Sequence, residues 1–245
     1  VMSGKGGVGK SCFSVNLAIA LAEKGFKVGL MDVDLHGPDI PRMLGLQGML
    51  GANSERKLDP MHYSDNLSAV SIESLMANKD DAVIWRGPVK HGAIRQFIGE
   101  VAWGDLDFLI VDAPPGTGDE PLTVAQLIED AQALIVTTPQ EIALADVRKS
   151  INFCRTVKMA IVGLVENMSG YTCPHCGRSA DIFGAGGGER TALQTGLKLL
   201  GSIPFDPRLV ACGDEGRSFR QQYADAPANR VFDAIAEAIA GSLRN

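Results

Sequence analysis

Eight residues near the start of the 245-residue chain, Gly4-Lys5-Gly6-Gly7-Val8-Gly9-Lys10-Ser11, have the composition of a phosphate-holding loop. Gly4, Gly9, Lys10 and Ser11 meet the spacing G-x-x-x-x-G-K-[ST] in full. Glycines let successive backbone N–H groups turn inward onto phosphate oxygens, and a following helix adds its positive N-terminal dipole. In such a loop the lysine ammonium, here Lys10, reaches the β and γ phosphates of a nucleoside triphosphate, and the hydroxyl of Ser11 ligates Mg2+. A continuous apolar run, Phe108 to Val111, ends in Asp112, whose carboxylate is suited to the water shell of the same Mg2+. Asp112 also opens a Pro- and Gly-rich loop, DAPPGTGD, fit to sense a γ phosphate. The reaction these groups suit is in-line attack of water on the γ phosphorus, with Lys10 and Mg2+ neutralising the developing charge.

The second constellation is Cys173-Pro174-His175-Cys176-Gly177. A C-x-x-C turn followed by glycine brings two thiolates onto one metal while backbone N–H groups face the sulfurs. Two ligands are half a tetrahedral site. Further ligands are available from Cys12, Cys154 or Cys212, from His175, or from the same pair in a second subunit. Cys12 starts the helix after the phosphate loop and Cys154 falls within a patterned helix, so both read as buried thiols. Cys212 lies in an expected loop, and His36, His62 and His91 show no metal spacing. A symmetric dimer pooling two pairs supplies four thiolates, enough for one [4Fe-4S] cluster or one zinc ion. Thiol-disulfide exchange suits the pair less well, because it sits late in the chain in a glycine-rich loop and not at the start of a helix after a first strand.

These groups need a scaffold, and the apolar periodicity supplies one. Ser14 to Lys24 has helical spacing closed by Gly25, and Lys27 to Met31 is a short apolar strand before Asp32 and Asp34. Further strands are expected at Leu67 to Ile72, Phe108 to Val111, Ala133 to Val136, Ala160 to Val165 and Leu199 to Ile203. Helices are expected at Val89 to Val101, Leu144 to Val157 and Ala228 to Leu243, and 36–64 reads as loop with at most short helices. Strands alternating with helices imply an α/β fold, a doubly wound, mostly parallel sheet flanked by helices. The length suits one domain over 1–245, with a Cys-containing metal-binding loop at about 170–188. Only Val1 and Met2 precede the glycine loop, where a buried strand is usual, so the natural N-terminus is expected to be longer.

Composition narrows the partners. A net charge of −6 supplies no summed positive field for nucleic acid or anionic lipid, so neither is expected as a partner. No apolar run of membrane-spanning length and no signal-peptide pattern are present, and five cysteines, two of them closely spaced, suit the reducing cytoplasm.

Lys5, at the first variable place of GKGGVGK, gives the loop a second lysine, and in this the chain resembles the deviant Walker A motif of the ParA, MinD and nitrogenase-iron-protein class of P-loop ATPases. That resemblance implies a nucleotide-sandwich homodimer of SIMIBI/MinD-like fold. ATP or ADP would be held by Gly4, Lys5, Gly6, Gly7, Val8, Gly9, Lys10, Ser11 and Cys12, with Lys5 crossing to the partner's nucleotide. It further implies that Asp34 positions or activates the attacking water, and that Asn167 and the loop Pro204 to Asp206 grip the base, an Asn amide being able to pair with the adenine edge.

Taken with WRGP (Trp85 to Pro88), Trp103 to Asp119, ENMS (Glu166 to Ser169), CPHCG and IPFDP (Ile203 to Pro207), the chain resembles the Mrp/ApbC family of ATP-binding iron-sulfur cluster carriers over nearly its whole length. The family implies a labile [4Fe-4S] cluster between the Cys173/Cys176 pairs of a homodimer. It also implies transfer to apo iron-sulfur proteins under control of ATP binding or hydrolysis. Cys12 stands where the family usually has Thr, and the N-terminal four-cysteine cluster of eukaryotic relatives is missing from this sequence. Two other readings use the same loop: an ATPase with a structural zinc clasp at CPHCG, and a ParA/MinD-type positioning ATPase. The latter needs a basic surface or basic terminal helix, whereas FDAIAEAIAGSLRN sets Asp233 and Glu237 against Arg244.

Overall fold

A computed structural model of the protein describes residues 1–34, 37–54, 57–75, 87–173 and 175–242. The helix that follows the glycine loop, α1 (Lys10–Glu23), is apolar on all sides, and from Phe13 to Ala22 every residue is buried. Gly9 begins it in the left-handed region at φ 78°, and Gly25, at φ 90°, ends it by donating to the Ala22 carbonyl at 3.0 Å. A residue without Cβ takes that conformation at little cost.

Three parallel strands pack beside this helix: β1 (Val28–Asp32), β3 (Leu67–Ser71) and β4 (Phe108–Asp112), with β2 (Met61–Ser64) antiparallel at the edge, in the order β2-β3-β1-β4. A second parallel set, β5 (Gln132–Thr137), β6 (Ala160–Glu166) and β9 (Leu199–Ser202), runs in the order β5-β6-β9. Residues 1–3 lie between the two sets. Ala113 donates to Val1, Met2 to Leu134 and Val136 to Met2, at 2.9–3.2 Å, so that one ladder continues from β4 to β5.

Alternation along β1 separates the two faces of the sheet. Val28 and Leu30 join a core with Phe13, Leu17, Phe232 and Ile235, whereas Met31 and Val33 join one with Ile94, Phe97 and Cys154. The first core collects α1, α2 (Ile40–Met43), α7 (Pro207–Asp214), α8 (Phe219–Gln222) and α9 (Pro227–Ser242). The second collects α3 (Gly87–Gly99), α4 (Asp119–Leu127) and α5 (Glu141–Thr156), and α6 (Gly187–Thr195) packs beside α5 on β6. A two-stranded hairpin, β7 (Tyr171–Thr172) with β8 (Ser179–Ala180), carries the cysteine turn.

The doubly wound, mostly parallel α/β sheet expected from the sequence is what the chain forms, with several local corrections. The stretch expected as loop or short helix contains β2, whose half-exposed residues at a sheet edge give no apolar run. The strand expected to reach Ile72 stops at Ser71, where a 3-10 turn begins, and the helix expected to reach Val101 stops at Gly99. Cys212 is not in a loop but in α7, 2 % exposed. The cysteine loop ends in α6, which starts at Gly187 within the expected loop. Trp85 and Arg86 of WRGP and His36 lie outside the described residues.

Candidate functional site

Asp32 and Asp112 end β1 and β4 at the same level, as direct register partners in the parallel ladder. Both are buried, Asp112 completely. The C-terminal edge of the sheet thus sets two carboxylates side by side facing the start of α1. Asp112 accepts from Lys10 Nζ at 2.6 Å and Ser11 Oγ at 2.7 Å through one oxygen, and from Ser14 Oγ at 2.6 Å through the other. Lys10 is itself 6 % exposed, so ammonium and carboxylate form a buried pair. A phosphate arriving at the loop would compete with Asp112 for the same ammonium. The oxygens of Ser11 and Asp112, hard and adjacent, fit a Mg2+ ion and its water shell.

Asp32 is held differently. Its oxygens accept the Asp34 N–H at 3.0 Å, the Ser71 hydroxyl at 3.1 Å and, more weakly, the Ile40 N–H at 3.5 Å. Burial, and then the charge of Asp112, push its pKa well above the usual carboxylate range. The partly buried Asp34 thus starts its loop anchored by its own backbone to Asp32.

The glycine loop is shaped from both sides. Gly4 lies against the backbone of α5, where any Cβ would collide with Asp146 and Val147. Gly6, Gly7 and Lys5 are exposed and Val8 is buried. Ser3 Oγ donates to the Lys5 carbonyl at 3.0 Å, which braces the turn. Asn167, just past β6, donates its side-chain amide to the Val8 carbonyl at 2.8 Å and lies over Gly9. The amide expected to meet a base therefore grips the phosphate loop in this structure. Asp206 accepts from the backbone and guanidinium of Arg208, with Nη2 at 2.6 Å, and caps α7. Burial would raise its pKa, but these bonds from Arg208 lower it on balance. Arg208 in turn stacks 4.4 Å over the Tyr223 ring. Pro204 is half-buried beside it.

Cys12 is partly exposed as a residue, yet burial of its thiol pushes its pKa up to about 12. Cys154 is likewise raised by burial, to about 11. Cys173 is the opposite: backbone N–H groups of His175 and then Cys176, with the Cys176 thiol, lower its pKa. The hairpin is closed by Cys173 N–H to the Arg178 carbonyl and Gly177 N–H to the Cys173 carbonyl, both at 2.9 Å. Cys176 is exposed, and among the described residues no group of three or more His, Cys, Asp or Glu side chains is placed to hold a metal. The hairpin offers two soft donors, half of a tetrahedral set.

Sequence reasoning passed over Ser14, Asp32 and Glu166. Ser14 falls one turn after Lys10 on α1, and Asp32 and Glu166, like Asp112, are acids ending apolar strands; that shared position was the available signal.

A glycine loop between the central strand position and a buried helix, with a strand-end carboxylate, Asp112, on its lysine, defines a P-loop NTPase of the ParA/MinD class. The model of the ParA family described as NUBPL iron-transfer P-loop NTPase matches residues 1–240, and the chain belongs to that family. It is 46% identical over 244 residues to the human cytosolic Fe-S cluster assembly factor NUBP2, covering 98% of this chain and 90% of that one. It is 47% identical over 240 residues to the iron-sulfur cluster carrier protein of Saccharolobus solfataricus, covering 98% of this chain and 81% of the relative. Among solved structures, the nucleotide-binding protein of Archaeoglobus fulgidus in complex with ADP superimposes with a TM-score of 0.79 at 40% identity, covering 94% of this chain and 88% of that chain. The cell division ATPase MinD of Pyrococcus furiosus shares the fold, with a TM-score of 0.72 at 23% identity and coverage of 99% and 97%.

Proposed function

We propose that the chain is an ATP-dependent iron-sulfur cluster carrier that binds a [4Fe-4S] cluster between two Cys173/Cys176 pairs of a homodimer and passes it to apo iron-sulfur proteins in the cytoplasm. The observation that carries this reading is the isolated two-thiol hairpin. Cys173 has a lowered pKa and Cys176 is exposed, while among the described residues no third ligand stands near. Two such hairpins complete a four-thiolate site, and a cluster bound at an exposed dimer seam can be given up. The names of relatives 46% and 47% identical over 98% of this chain agree with that cargo.

In this reading the domain is one unit over 1–245 that binds ATP or ADP on Gly4 to Cys12. Ser11 and, through water, Asp112 would hold Mg2+, which would supply neutralisation of the phosphate charge. Lys10 moves from Asp112 to the β and γ phosphates, and Lys5, exposed on the loop, reaches the nucleotide of the partner subunit. Asp34 orients the attacking water, with its backbone fixed by Asp32. Asn167, Pro204 and Asp206 border the base. Asn167 and Asp206 already serve Val8 and Arg208, so either side chain meets the base only by exchanging its present partner. Among the described residues no helix is long and apolar enough to cross a membrane.

The test is iron, sulfide and zinc content with the visible spectrum of anaerobically purified protein, beside a Cys173→Ser/Cys176→Ser chain. The expected result is broad absorbance near 400 nm with about four irons per dimer, both absent from the variant. Stoichiometric zinc that resists replacement by iron and sulfide would overturn the carrier reading and make the hairpin a structural clasp.

A further inference from the structure

Glu166 is 1 % exposed and accepts three hydrogen bonds. One oxygen takes the Ser169 hydroxyl at 2.6 Å and the Gly186 N–H at 3.3 Å, and the other takes the Gly188 N–H at 2.5 Å. Gly186 to Gly188 is where the chain returning from the cysteine hairpin enters α6. A Cβ on Gly188 would lie 2.9 Å from that of Glu166, so the carboxylate is pressed against this return. The next residue, Asn167, holds the phosphate loop through Val8, and its own N–H donates to Thr137 on β5 at 2.7 Å. Consecutive residues at the end of one strand therefore grip the phosphate loop and one root of the cysteine hairpin.

The other root is tied as well. Phe205, in the loop expected to border the base, donates its N–H to the Gly170 carbonyl at 2.8 Å. Its ring stands 6.0 Å from that of Tyr171, the first residue of the hairpin, and 5.5 Å from that of Phe183, just beyond it. Ser169 donates its N–H to Ile203 at 2.8 Å. Between the residue holding the phosphate loop and the residues holding the hairpin, Met168 has φ 57°, a left-handed conformation that a side chain adopts only where its surroundings require it. A displacement of Val8 would therefore act on a turn held at both ends.

We propose that Glu166 and Phe205 are positioning residues through which nucleotide at the phosphate loop sets the metal affinity of the Cys173/Cys176 hairpin. Glu166 does so by fixing the exit of the hairpin to the strand end that also carries Asn167. Phe205 does so by packing edge-to-face against Tyr171 at the hairpin's entry. The inference rests on the reading of the hairpin as a metal-binding site. Spatial continuity by itself does not establish coupling, so the test measures coupling directly.

Co2+ alone is titrated anaerobically into the full chain with and without MgADP, reading the thiolate-to-cobalt absorption that the Cys173→Ser/Cys176→Ser chain lacks. The wild-type affinity for Co2+ is expected to differ by at least about fivefold between the two conditions. In Glu166→Ala and in Phe205→Ala, each brought to saturating MgADP, that difference falls below about twofold. Phe205→Tyr, which keeps the ring, restores the difference. If both alanine variants retain the wild-type difference, or the wild-type chain binds Co2+ through its thiols with no dependence on ADP, the proposal is overturned and the metal-binding reading survives. Absence of a thiolate band in the wild-type chain under every condition overturns both. Should Glu166→Ala fail to bind ADP, the Phe205→Ala and Phe205→Tyr pair decides the question.

Discussion

Replacing Asp112 by alanine in the nucleotide-free protein isolates the energetics of the buried pair with Lys10. Asp112 receives three donors, but their fates on its removal differ. The Ser14 hydroxyl retains the Lys10 carbonyl at 3.1 Å as acceptor, and Ser11 is partly exposed and can turn to water. Among the described residues Lys10 has only the Ser11 oxygen at 3.3 Å as another partner, and it is 6 % exposed. The cost therefore comes almost wholly from an ammonium stranded in the interior, about 3–5 kcal/mol when one partner of a buried pair is removed. Lys10→Met leaves Asp112 with both hydroxyls and is expected to cost about 1–3 kcal/mol. The double variant strands nothing, so it should be more stable than the sum of the singles implies, by about 2 kcal/mol or more. Urea unfolding in EDTA, followed by circular dichroism and by tryptophan fluorescence, gives all four stabilities. A loss below about 1 kcal/mol for Asp112→Ala, or additive single effects, would refute the reasoning.

Three further outcomes are expected. Asp32 has a folded pKa raised above its unfolded value, so its contribution is complete below the unfolded pKa and is lost as pH rises through the folded one. Asp32→Asn should therefore stabilise the chain relative to wild type at pH 8 and lose that advantage toward pH 4, and the opposite trend in thermal midpoints would contradict the assignment. In Gly9→Ala a Cβ would be forced onto the Asn167 amide in a left-handed backbone; a loss of about 2 kcal/mol or more of stability, with weakened ADP binding in calorimetry, is expected. Brief treatment with iodoacetamide at pH 8 should modify Cys173 and Cys176 before Cys12 or Cys154 by peptide mass mapping, and early modification of Cys154 would count against the burial described.

The elements that the sequence made legible are those whose apolar patterns face a core on both sides. The runs ending in Asp112 and Glu166 read directly as buried parallel strands, and the helix after the glycine loop showed its end in Gly25. The half-exposed edge strand at Met61–Ser64 carried no such pattern, and Pro207 with Gly213 concealed the helix that buries Cys212. In the site, loop residues could be named from spacing, because local backbone geometry demands those residue types. The pairing of Asp32 with Asp112 depends on strand register, and the grip of Asn167 on Val8 spans 159 positions; neither is encoded by any local pattern.

The position of Cys12 bears on how the nucleotide loop can be addressed by chemistry. It adjoins Ser11, which makes it an obvious target for an electrophile tethered to a nucleotide analogue. With burial pushing its pKa up to about 12, on the order of 10⁻⁵ of the population is thiolate at pH 7. Reagents that depend on thiolate would pass it by, while Cys173 remains nucleophilic on its hairpin. A reporter dye can thus be attached at the hairpin of the otherwise native chain, with the phosphate loop left free to bind nucleotide while the dye is observed.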